Sequence, residues 1–81
     1  MEKGQLDPVL VGHVIAQFRK KRGLSQEVVS GLAGIGRTHL SAIERGERKP
    51  TLETFYCIAN ALGISASVIL AEIEQQANNS H

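Results

Sequence analysis

Apolar residues recur along this chain at the three-and-four spacing that places them on one side of an α-helix. Val11, Val14, Ile15 and Phe18 form such a stripe behind Asp7 and Pro8, an N-cap followed by the helical position where proline's missing N–H costs nothing. A first helix is predicted from there to the cluster Lys20, Lys21 and Arg22, with Gly23 as its stop. Cations suit the negative end of a helix, which by itself accounts for the cluster. Ser25 caps a short second helix from Gln26 to about Ala33, with Val29, Leu32 and Ala33 turned inward. After Gly34, Ile35 and Gly36 a third helix runs from Arg37 to Arg45 and stops at Gly46. Pro50 and Thr51 open a fourth, in which Leu52, Phe55, Tyr56, Ala59 and Leu62 keep helical spacing up to Gly63. Ser65 starts a fifth on Ala66, Ile69, Leu70 and Ile73, and residues 1–6 and 76–81 are expected to fray.

No stretch alternates as a strand does, and no repeat or interdomain linker is visible, so the fold expected is a compact all-α bundle of five helices over residues 1–81. The second and third helices are joined by only three residues with glycine at the junction. That is what a helix-turn-helix requires if its second helix is to project, and an ordinary helical hairpin is the alternative. A chain of 81 residues leaves little room for a large catalytic cleft, while 42% hydrophobic and 21% charged residues are the proportions of a folded domain. No apolar run reaches the roughly 18 to 20 residues of a membrane span, and Met1 to Asp7 holds two acids and no apolar leader core. With Cys57 the single cysteine, a reducing cytoplasm is the expected location.

The net charge is only +1, but it is divided unevenly. From Arg19 to Lys49 eight bases (Arg19, Lys20, Lys21, Arg22, Arg37, Arg45, Arg48 and Lys49) stand against Glu27, Glu44 and Glu47, a balance of +5 that leaves −4 for the rest. A central segment that meets a polyanion explains this better than an evenly solvated surface does. The third helix sharpens the point. At about 100° per residue, with Arg37 at zero, Ser41, Arg45, Thr38 and Ala42 fall at roughly 40°, 80°, 100° and 140°. Leu40 and Ile43 lie opposite, at roughly 300° and roughly 240°. Glu44 stands at the edge of the apolar side, at roughly 340°, and His39 on the flank, at roughly 200°. The outer arc thus offers two arginines, two hydroxyls and a methyl, with no acid. Arginine donates twice to guanine, hydroxyls suit either base type, and methyls pack on thymine. Gln26, Arg45, Arg48 and Lys49 bracket this arc as candidates for gripping the phosphate backbone.

The stretches Gly23-Leu24-Ser25-Gln26-Glu27, Ala33-Gly34-Ile35-Gly36-Arg37-Thr38, Leu40-Ser41-Ala42-Ile43-Glu44-Arg45-Gly46-Glu47-Arg48-Lys49-Pro50-Thr51-Leu52 and Ile58-Ala59-Asn60-Ala61-Leu62-Gly63-Ile64 form a highly specific combination. Over Val11 to Ile64 the chain resembles the phage-repressor-like helix-turn-helix family of Cro, lambda-type repressors and the Xre regulators. The resemblance implies a lambda-repressor-like DNA-binding domain and a sequence-specific transcriptional regulator that is no enzyme, binds no cofactor, and reads a pseudo-palindromic operator in double-stranded DNA as a homodimer. It further implies that Gln26 contacts a phosphate and that Arg37, Thr38 and Ala42 approach bases, with Ser41 at the margin. It pairs Arg19 with Glu44 in a partly buried structural bond. Ser30 departs from the family, which favours alanine at the close contact of helices two and three, so either looser packing or a hydroxyl bond is expected. Gly36 departs too, leaving the reading helix without a side-chain cap. Val28 and Leu32 stand where polar residues are usual, and additional core is preferred to a protein contact. Small size and the segment Arg37-Thr38-His39-Leu40 are similar to the controller proteins of restriction–modification systems, with His39 in place of their frequent aromatic.

One such unit buries little surface, so two half-sites about 34 Å apart are the expected route to affinity. The fifth helix, residues 65–75, is the candidate dimer surface through Val68, Leu70 and Ile73, the alternative being that these only close the bundle. RNA polymerase is the further partner considered. The competing function is a protein-interaction module such as an antitoxin or coactivator subunit, which Val28 and Leu32 favour. Catalysis has the least support, because His13, His39 and His81 share no ligand spacing with Cys57 and no nucleophile has a readable base. Neither a metal, a membrane nor a small-molecule substrate is implied, and Cys57 is read as a small core residue.

Overall fold

Four of the five helices begin on a side chain that satisfies an otherwise orphaned N–H, and this fixes where each one starts. Asp7 accepts from the Val9 N–H at 2.9 Å to open α1 (Pro8–Lys21), and Ser25 accepts from Val28 at 3.1 Å to open α2 (Gln26–Ala33). Thr51 and Ser65 do the same for α4 (Leu52–Leu62) and α5 (Ala66–Asn78). The exception is α3 (Arg37–Glu44), whose cap residue Gly36 makes no side-chain bond, as expected from its lack of a side chain. The computed structural model describes residues 4–79, and all the regular structure among them is helical. The expected fraying of residues 1–3, 80 and 81 lies outside the described residues.

Each helix contributes completely buried aliphatic side chains to one core: Val14 and Ile15 from α1, Val29 from α2, Leu40 and Ile43 from α3, Ile58 from α4, Ile69 and Ile73 from α5. At roughly 1.5–3 kcal/mol for each fully buried side chain, this shared core is the main stabilising term. Helix α2 packs chiefly on α4, and α1 lies against both α3 and α5. Gly34, at φ 73°, ends α2 in the left-handed region, and the Ile35 N–H returns to the Ser30 carbonyl at 3.0 Å, so the chain turns into α3 within three residues. Ser30 is buried and its hydroxyl donates to the Glu27 carbonyl at 3.2 Å, the hydroxyl bond rather than the looser packing.

Leu32 and Val28, expected in the core, are not part of it. Leu32 is 68% exposed, and Val28 is also outside the core, because the buried side of an eight-residue helix is filled by Val29, Ser30 and Ala33. Leu52 (84% exposed) and Tyr56 keep helical spacing on α4 but lie outside the part of that helix covered by α2 and α5. The fifth helix runs on through residues 76–78 instead of fraying, with the Asn79 N–H bonded to the Gln75 carbonyl at 3.1 Å.

Candidate nucleic-acid interface

Three contacts hold the third helix against the first. Gly12, inside α1, faces the end of α3 so closely that a β-carbon there would stand 2.1 Å from the Ile43 carbonyl oxygen and 2.7 Å from that of Glu44. Only hydrogen fits. Gly46, at φ 79°, terminates α3 with its α-carbon against the backbone of Val9, where a β-carbon would approach to 2.7 Å. Between these glycines sits a polar lock. Arg19 donates from Nε to Glu44 Oε2 at 2.7 Å and from Nη2 to Glu44 Oε1 at 2.9 Å, while its Nη1 donates to the Leu24 carbonyl at 2.8 Å. The two side chains are only 11% and 6% exposed. The bond to Glu44 raises the Arg19 guanidinium above its ordinary value, against the opposing effect of burial. Gln26 completes the cluster by donating to Glu44 Oε1 at 3.0 Å, so the start of α2 and the end of α3 share one carboxylate.

With Leu40 and Ile43 facing inward, α3 turns its other side to solvent. Arg37 and Thr38 are exposed at its start, Ser41 and Ala42 are half-buried in its middle, and Arg45 is exposed at its end. His39 is half-buried on the flank, and Arg48 and Lys49 are exposed in the segment that follows. The candidate base-reading residues therefore share one face, with Gln26, Arg48 and Lys49 on the elements either side of it. The arc is not free of acid, however. Glu47 folds back from beyond Gly46 and accepts from Arg45 Nε at 2.9 Å and from Nη2 at 3.0 Å, while Arg45 Nη1 donates to Ser41 Oγ. That bonding draws the Glu47 carboxyl below its ordinary value and raises Arg45 above its own. The signal for this pairing in the sequence is the place of Glu47 two residues beyond Arg45, across a glycine.

The candidate dimer residues separate. Val68 and Leu70 are exposed, but Ile73 is wholly buried in the subunit's own core and offers a partner no surface. Leu52 and Tyr56 are exposed and join Leu70 and Ala66 along a groove between α4 and α5. Among the described residues no three His, Cys, Asp or Glu side chains cluster as a metal site would require, and no single helix is long and apolar enough to cross a membrane.

A helix-turn-helix family model matches residues 15–69. The chain is 46% identical over 56 residues to the uncharacterized HTH-type transcriptional regulator y4dJ of Sinorhizobium fredii, covering 69% of this chain and 73% of that protein. It spans less than half of two longer curated relatives, 43% and 46% of their lengths. Among solved structures it is similar to the restriction–modification controller protein C.AhdI from Aeromonas hydrophila, with a TM-score of 0.75 at 33% identity over 78% of this chain and 96% of that one. It is also similar to the controller protein C.Esp1396I, solved as a tetramer in complex with its natural 35 base-pair operator, with a TM-score of 0.80 at 27% identity over 88% of this chain and 93% of that one. Helices α2 and α3 are the helix-turn-helix of that fold, and the chain belongs to the Xre-type helix-turn-helix family of DNA-binding transcription regulators.

Proposed function

We propose that two copies of this chain bind a pseudo-palindromic operator, each laying α3 in the major groove of duplex DNA, and regulate transcription in the manner of a small controller protein. The observation that carries the reading is the two-sidedness of α3: Leu40 and Ile43 are completely buried, while Arg37 and Thr38 are exposed beside Ser41 and Ala42. Such a helix is rigidly anchored and presents donors and a methyl to base edges. Gln26 at the start of α2, with Arg48 and Lys49 after α3, serves as the phosphate grip on either side. The similarity to C.AhdI and C.Esp1396I supports the controller assignment. The exposed apolar side chains of α4 and α5 support pairing of subunits, which sets two reading helices about 34 Å apart.

Titration of a selected operator duplex at several salt concentrations tests this. Arg48 and Lys49 from two subunits neutralise about four phosphates, so log affinity falls against log salt with a slope of about −4 or steeper. One observation favours a second reading, a protein-interaction module: Val28 and Leu32 leave apolar surface on α2 uncovered. An affinity nearly independent of salt, measured against a protein instead of DNA, would select it.

A further inference from the structure

Arg45 lies one helical turn beyond Ser41 on the outer side of α3, and its guanidinium is fixed from two directions. Glu47 takes Nε and Nη2 at 2.9 and 3.0 Å, and Ser41 takes Nη1. A guanidinium carries five N–H donors in a rigid plane, and three are engaged here. The two left open are one on Nη1 and one on Nη2. Both side chains of the ion pair are more than half exposed, at 54% and 60%, so the pair contributes little to folding. Its consequence is direction.

We propose that Glu47 is a positioning residue which aims Arg45 at a guanine, so that Arg45 reads a base and does not grip phosphate. This rests on the reading of α3 as the DNA-recognition helix. The two roles ask opposite things of the side chain. A phosphate grip works through uncompensated charge, and a carboxylate within 3.0 Å both cancels that charge and repels the phosphate. The O6 and N7 edge of guanine is a pair of neutral acceptors, which rewards two donors held side by side in a fixed direction. Holding a long, rotamer-rich side chain in place beforehand also removes an ordering cost from binding. Arg48 and Lys49 show the contrast: both are exposed and neither forms an ion pair among the described residues, the state expected of phosphate contacts.

Selection of bound sites from random duplex DNA, run in parallel on the native chain, Arg45→Ala, Arg45→Lys and Glu47→Gln, tests the assignment. Thermal melting of each variant confirms folding. The native chain should enrich a G·C pair at a fixed place in each half-site, and both Arg45 variants should lose that preference roughly five- to hundredfold with the other positions unchanged. Glu47→Gln keeps the size but drops the charge, so it should weaken the same preference while strengthening binding to unrelated duplex. A loss by Arg45→Ala that is uniform across sequences, with the salt slope shallower by about one per subunit, would overturn the base-reading role in favour of phosphate. A preference untouched by Glu47→Gln would overturn the positioning. Absence of any enrichment by the native chain would instead bring down the DNA reading itself and this inference with it.

Discussion

The junction of α1 with α3 and the outer face of α4 and α5 are built on opposite principles. At the junction every position is specified: Gly12 and Gly46 admit no β-carbon, and Arg19, Gln26 and Glu44 satisfy one another in a site only 11% and 6% exposed at the ion pair. On the other face Leu52, Tyr56, Val68 and Leu70 are left in solvent with no partner geometry imposed on them. The first arrangement admits only one close approach of α3 to α1. The second provides apolar area whose burial is favourable against many shapes. On the function proposed above, base reading would draw on the former beneath α3, and pairing with a second copy would draw on the latter.

Substitutions at the junction of α1 and α3 should have the largest effects. Glu44→Ala strands the Arg19 guanidinium in a nearly buried site and should cost about 3–5 kcal/mol in denaturant unfolding, a large part of the stability of so small a domain. Gly12→Ala drives a methyl into two backbone carbonyls, so α1 and α3 must separate; a loss of about 3 kcal/mol is expected, against the gain that alanine normally brings to a helix interior. If either variant melts like the native chain, the junction is not what holds α3. On the open face Tyr56→Ala should leave the isolated subunit folded but weaken self-association by about 2 kcal/mol, or roughly thirtyfold, in sedimentation equilibrium. An unchanged association constant would remove α4 from the dimer surface.

The smallest effect separates the exposed pair from the buried one. Bonding to Arg45 holds the Glu47 carboxyl below its ordinary value. The pair's contribution is therefore complete above the ordinary carboxylate range and is lost only as pH falls through the depressed value. The Arg45 Nε–H resonance should shift in that acid window while the melting temperature follows the rest of the molecule, since both groups are solvent-exposed.

Helix boundaries were legible because local chemistry sets them: Asp7, Ser25, Thr51 and Ser65 cap, and Gly34 and Gly63 stop with positive φ. The two sides of α3 were legible from periodicity, which opposes Leu40 and Ile43 to Arg37 and Ser41. Periodicity does not say which part of a stripe a neighbour covers, and that is how Leu32 was turned inward and Ile73 was offered to a partner. The role of Gly12 depends on a contact with residues more than thirty positions away. Its one sequence signal was a glycine in a helix interior, where that residue costs about 1 kcal/mol relative to alanine and so needs a packing reason. Arg45 with Glu47 was missed because the pairing runs back across Gly46, beyond the end of the helix on which the angular argument was made.

Whether the outer arc of α3 enters the major groove is tested most directly by methylating guanine N7 in a selected operator and asking which modified duplexes the chain still binds. N7 methylation at particular guanines in each of two half-sites, about 34 Å apart, should block binding, and Arg37→Ala should abolish the sensitivity at one guanine per half-site. Binding that ignores N7 methylation throughout while still collapsing with salt would contradict it, and would make this chain a backbone binder that does not read sequence through α3.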